Sequence, residues 1–146
     1  MKNTFMILVL SLLFVGCKQE IKPTDIEKLN GYWEITKVVF DKGEEKMYGM
    51  NENFDFFKIK GNKGTRTKVM AQLDGTFLTT DTYEDVSVRF AGEKVYLDYK
   101  TDYAKWSEEL ITLSDDELVV KNTENKEYHY KKAGPINILK DGKETK

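Results

Sequence analysis

Apolar and polar positions alternate through most of this chain. In Val86-Ser87-Val88-Arg89-Phe90 and in Val95-Tyr96-Leu97-Asp98-Tyr99 every second residue is apolar or aromatic, and Tyr128 and Tyr130 repeat the pattern around His129. A period of two predicts β-strands with one face buried. Turn residues separate such runs at short, even intervals: Lys60 to Gly64, Asp74-Gly75, Ala91-Gly92, Ser114 to Asp116 and Asn122 to Asn125. Asp74-Gly75 suits a type I′ hairpin turn, in which both central residues take positive φ. The pattern predicts strands over 31–40, 54–60, 66–73, 76–82, 85–91, 94–100, 106–114, 117–122 and 126–132. Nothing between them is long enough for a crossover helix, so neighbours pair antiparallel. The expected fold class is all-β: an antiparallel up-and-down meander closed into an eight- or nine-stranded barrel, which removes the sheet edges. Thr24-Asp25-Ile26-Glu27-Lys28-Leu29 reads as a short helical turn before it, capped by Thr24 or Asp25 and ended by Gly31. In the first strand the inward set Trp33, Ile35 and Val39 also includes Lys37, and in 54–60 Phe56 and Phe57 fall on opposite faces unless a bulge intervenes.

The first residues follow another pattern. From Phe5 to Val15 the chain is apolar except for Ser11, a run of about 11 residues or roughly 17 Å as a helix, against about 30 Å for a bilayer core. That is the length of a signal-peptide core. It ends at Phe14-Val15-Gly16-Cys17, which resembles a bacterial lipobox, with Phe14 where leucine is commoner. The resemblance implies diacylglycerol transfer to Cys17, cleavage before it and acylation of the new terminus. Two or more chains anchor stably, at about 0.8 kcal/mol per buried methylene. An unpaired thiol is a liability in an oxidising compartment, and a thioether removes it. The expected organisation is a signal peptide over 1–16, a polar tether over 17–24, the barrel over 25–132 and a loose tail over 133–146. The expected location is the cell envelope, by lipid anchor, in the outer membrane of a Gram-negative bacterium, since Lys18 is not the aspartate that retains lipoproteins at the inner membrane.

Composition narrows the function. The chain has 23 basic and 25 acidic residues; they are interspersed, with no polybasic block of the nucleic-acid kind. Its one cysteine allows no internal disulfide, so stability rests on apolar burial and sheet hydrogen bonds.

Two segments carry a family resemblance. Leu29-Asn30-Gly31-Tyr32-Trp33 resembles the Gly-x-Trp signature that opens the first strand of lipocalins, and Thr101-Asp102-Tyr103 matches their Thr-Asp-Tyr motif between the sixth and seventh strands. The end of the meander, from Leu110 to Lys132, is similar to that of small lipocalin-like lipoproteins. The resemblance implies a lipocalin-like barrel closed at the Trp33 end, with Gly31, Trp33, Thr101, Asp102 and Tyr103 in structural roles. Lipocalins lay a late-strand arginine over that tryptophan. Here the last strand offers Lys131 and Lys132, and a lysine is left to make the cation–π contact.

An eight-stranded barrel has room for packed side chains or one small ligand. Candidate ligand-lining residues are Val69, Ala71, Val88, Phe90, Leu97, Tyr99, Tyr128 and Tyr130, with Met47, Tyr48 and Met50 of the 41–53 loop as a lid or a core cap. Catalytic residues are not expected. His129 falls on the wet face, Ser107 and Ser114 lack a partner base, and consecutive Glu108 and Glu109 point to opposite faces. Ser114 to Glu117 lacks the spacing of a calcium loop. No metal and no cofactor are expected. The expected function is an envelope lipoprotein whose barrel binds a small hydrophobic molecule. The alternative is a ligand-free barrel that binds another envelope protein through its loops.

Overall fold

The structure, a computed structural model, describes residues 19–134. The expected signal peptide, Cys17 and most of the expected tail lie outside them. A 3₁₀ helix, Pro23–Leu29, precedes nine strands: β1 Gly31–Val39, β2 Glu45–Met47, β3 Asn53–Lys60, β4 Lys63–Ala71, β5 Phe77–Ala91, β6 Lys94–Lys100, β7 Lys105–Leu113, β8 Glu117–Lys121 and β9 Glu127–Ala133. They form one antiparallel sheet that closes where β1 pairs with β9. Eight strands make the barrel. β2 folds back on the far half of β1, on the edge that β3 occupies at the near half.

Three features differ from the pattern reading, the first being β2, which lies within the segment expected to be the 41–53 loop. The strands expected over 76–82 and 85–91 are one strand, β5, because Tyr83-Glu84 holds no turn-forming residue and the irregularity is absorbed as a bulge opposite Lys68. The Asp74-Gly75 turn is not type I′. Gly75 has φ 84° while Asp74 is not in the positive-φ region, and Gln72 pairs with Thr76 around a longer loop. Asp74 Oδ1 accepts from the Thr76 N–H at 2.9 Å, which favours this turn.

The helix is also capped differently. Lys22 is the N-cap, and Asp25 in the first turn reaches back to accept its N–H at 2.9 Å, while Pro23 occupies the first helical position. The expected tether is docked from Gln19 onward: Gln19 bonds to the Leu113 backbone and Ile21 is buried in the core.

Register explains the ambiguous strands. A shift between Ile35 and Lys37 turns Lys37 outward, so Val38 rather than Val39 is buried, opposite Tyr128. In β3, Asp55, Phe57 and Ile59 face inward, and Phe54 and Phe56 face outward. Directly paired residues share a face, so Val69, opposite Phe54, is outward as well. The outer rings form a second small cluster: Tyr32 stacks on Phe56 at 4.5 Å and on Phe77 at 4.1 Å, and Phe77 meets Phe54 edge-on at 5.8 Å.

The barrel is closed at the end nearest the helix. Trp33 is fully buried there among Leu29, Leu97, Leu113 and Leu118. Its indole N–H donates to the Leu29 carbonyl at 2.8 Å, and Lys132 Nζ stands 4.2 Å above the ring. That ammonium also donates to the Lys28 and Asn30 carbonyls, which the helix leaves without internal partners. Gly31 has φ 116°, and a Cβ there would meet the Lys132 Nζ at 3.4 Å. The Gly-x-Trp pair is therefore one device: glycine admits the lysine that covers the tryptophan.

Candidate functional site

The opposite end of the barrel is the mouth. Four connections surround it: residues 40–52, 72–76, 101–104 and 122–126. Between the rim and the dry core lies a cleft of about 240 Å³. Arg66 and Lys68 of β4, Trp106 and Glu108 of β7, Asn122, and Tyr128 and Tyr130 of β9 line it.

Alternation places these groups. Glu108 lies between Trp106 and Leu110 at the two-residue period, so the strand that buries Leu110 must also turn Glu108 inward. Arg66 pairs in register with inward-facing Phe57. Its guanidinium lies 4.2 Å over the Tyr99 ring, and Tyr99 stacks on Trp106 at 5.3 Å, with the planes 15° apart. Arginine, tyrosine and tryptophan thus form a layered wall.

A buried charge network underlies the cleft. Arg66 bonds to Glu84 and reaches Glu108 at 3.5 Å, and Lys68 pairs with Asp55, which is 2% exposed. Burial lowers the Arg66 pKa, but Tyr99, Glu84 and Asp55 outweigh it, so the guanidinium stays firmly charged. Burial pushes Glu108 the other way, above the usual carboxylate range, against the pull of Arg66. The asymmetry is geometric: Arg66 is held chiefly by Glu84, leaving Glu108 one long contact. Burial also raises the Tyr99 and Tyr130 hydroxyls, which remain neutral donors. The Tyr99 hydroxyl stands beside Glu108 yet makes no hydrogen bond of good geometry.

The candidate residues separate into groups. Tyr128 and Tyr130 line the cleft, and Tyr99 backs it. Leu97 and Val88 are inward but deep in the packed core. Val69 and Ala71 sit on the outer face rather than toward the interior. Phe90 is 37% exposed at the closed end, where it lines another cleft with the N-terminal segment. Met47 and Met50 are exposed to solvent and do not line the mouth cleft, and the Tyr48 ring lies beneath Lys46. The loop is held to the side of the barrel by β2 and by Asn51, whose amide donates to Glu34 and to the Ile35 carbonyl. Thr101 organises the β6–β7 turn by accepting from the Tyr103 and Ala104 N–H groups, and the Tyr103 ring is exposed.

Sequence reasoning missed Arg66, Asp55, Glu84, Glu108, Lys68 and Trp106. The signal for two of them was present: Trp106-Ser107-Glu108-Glu109-Leu110 and Asp55-Phe56-Phe57-Lys58-Ile59 each put a carboxylate in phase with apolar residues. Among the described residues, no group of three or more His, Cys, Asp or Glu could hold a metal ion. His129 lies on the outer face, 3.3 Å from Glu127.

A family model for a lipocalin-like domain matches residues 29–120. Two solved structures are similar to this chain. A lipocalin-like protein from Bacteroides uniformis has 13% identity and a TM-score of 0.45, covering 73% of this chain and 99% of its own. An uncharacterized protein from Bacteroides eggerthii has 9% identity and a TM-score of 0.46, covering 72% and 99%. No curated protein matches.

Proposed function

Starting from a chain that belongs to the lipocalin-like domain family, we propose that it is an envelope lipoprotein, anchored through Cys17, whose barrel mouth binds a small molecule. One observation carries this reading. The cleft opposite the Trp33 plug has half-buried aromatic walls, Trp106, Tyr128 and Tyr130, over a charged floor. Flat aromatic walls suit an apolar ligand body, and a few placed polar groups fix its orientation. The hydrophobic ligand expected from the pattern therefore becomes one with an apolar face and a polar end, because Arg66 and Glu108 block a purely greasy tail from the core. Binding, not turnover, is the assigned activity.

The test is the native mass of the full protein extracted from its own membranes. A reproducible extra mass that disappears on denaturation supports the reading, and Trp106→Ala should weaken binding about tenfold, the loss of roughly 1.4 kcal/mol. A bare mass, with no uptake from a panel of amphipathic compounds, would remove it. For the anchor, Cys17→Ala should release the protein from membranes while the barrel stays folded. Retention of that variant after a high-salt wash would refute lipidation.

A second reading has an observation of its own. Met47, Met50, Met70, Leu73 and Leu78 are all exposed on elements around the mouth. Apolar side chains gathered at one end suit a protein partner, and this reading takes precedence if the mass is bare.

A further inference from the structure

We infer that the closed end of the barrel is the surface that faces the bilayer, so that the mouth cleft opens away from the membrane. This rests on the lipid anchor proposed for Cys17, and adds a fixed orientation to it. The argument comes from where the chain becomes fixed. The Gln19 amide forms a two-point bond with the backbone of Leu113, at the closed-end terminus of β7: its Nε2 donates to the carbonyl at 2.7 Å, and its Oε1 accepts the N–H at 3.1 Å. Ile21, two residues on, is buried in the core, and the helix begins at Pro23. Only Lys18 stands between Cys17 and this docked segment. Two residues of chain span at most about 7 Å, so a lipid on Cys17 holds the closed end at the membrane surface.

A flexible linker would behave otherwise. About 20 Gly/Ser residues have a root-mean-square reach near 25 Å, enough for the domain to turn over. The mouth lies one strand length away. β7 has nine residues, roughly 30 Å along the strand, or about 20–25 Å along the barrel axis at a tilt near 40°. The surface turned toward lipid includes the cleft of about 560 Å³ between Gln19–Pro23 and the Phe90–Val95 segment. Phe90, 37% exposed in that cleft, turns an apolar ring toward the same surface.

The experiment uses the full-length lipidated protein in phosphatidylethanolamine/phosphatidylglycerol vesicles carrying a nitroxide-headgroup lipid. The Cys17 sulfur is consumed as a thioether, so one introduced cysteine is the only thiol. A fluorophore is placed at the closed end through Glu93→Cys, or at the mouth through Asp102→Cys. Quenching at 93 should exceed that at 102 several-fold, and insertion of 20 Gly/Ser residues after Lys18 should bring the two toward parity. Equal quenching without the insertion, or stronger quenching at 102, would overturn the orientation. Persistence of the full difference after the insertion would overturn its attribution to the short tether. A protein with no lipid mass on Cys17 would overturn the anchor reading itself, and the orientation with it. Mass measured on the same sample separates that failure from the others.

Discussion

The two halves of this barrel share strands but not chemistry. The closed half is dry: Trp33, Leu97, Leu113 and Leu118 are at most 1% exposed, and the one charge over them, Lys132, serves as a lid whose ammonium bonds to carbonyls. The mouth half sets Arg66, Glu84, Glu108 and Asp55 into the same interior, with exposed Lys68 reaching Asp55 from the solvent side. Burying a large apolar side chain stabilises by about 1.5–3 kcal/mol, whereas a buried ion pair is often no better than an apolar pair of similar volume. The closed half therefore holds the fold, and the mouth half spends stability on polar groups that a scaffold does not need. That contrast is the physical reason for proposing a binding site at the mouth.

The comparison breaks first at its apolar extreme. Trp33→Ala should lose about 3–5 kcal/mol in urea unfolding, from lost burial and the cavity left behind. Trp106→Ala, at a half-exposed position, should lose markedly less. Equal losses would erase the distinction between the halves.

The next test concerns charge. Arg66→Met alone leaves Glu84 and Glu108 facing each other without their cation, and should cost about 3 kcal/mol. Combined with Glu84→Gln and Glu108→Gln it should recover most of that loss. A triple variant as unstable as the single one would mean that Arg66 acts through packing on Tyr99 instead.

Lys132→Met is expected to cost about 1–2 kcal/mol, because two helix-end carbonyls and the Trp33 face lose their donor. The same change at exposed Lys46 should be silent by comparison.

The smallest effect is a pH dependence. Burial raises the Glu108 pKa above its ordinary value of 4.5. An acid whose folded pKa is raised destabilises the fold while ionised, and that cost is relieved as pH falls through the folded pKa toward 4.5. Glu108→Gln removes the ionised form. The variant should exceed the parent in stability at neutral pH by on the order of 1 kcal/mol, and the gap should close on acidification. A gap that widens in acid would show that the Arg66 contact outweighs burial.

Much of the packed core was legible in the chain. Val86, Val88, Leu97 and Tyr99 were placed inward by alternation alone, and the Gly31–Trp33 pair marked the plug. The bulges were not legible. The register shift near Thr36 reverses which residues face the interior, and so Val38 replaced Val39, whereas Val69 and Ala71 went to the outer face because the pairing of β4 with β3 turns Arg66 and Lys68 to the inner side. A bulge adds one residue to one strand, and its position depends on the partner strand.

By itself, then, the sequence determined an antiparallel meander, its closure and the plugged end, because a period of two, turn residues and a fully apolar face are local properties of the chain. Only the tertiary structure decided that the mouth is charged. Arg66, Glu84 and Glu108 lie on three different strands, and their meeting over Tyr99 follows from register and barrel closure, which no local window of sequence contains.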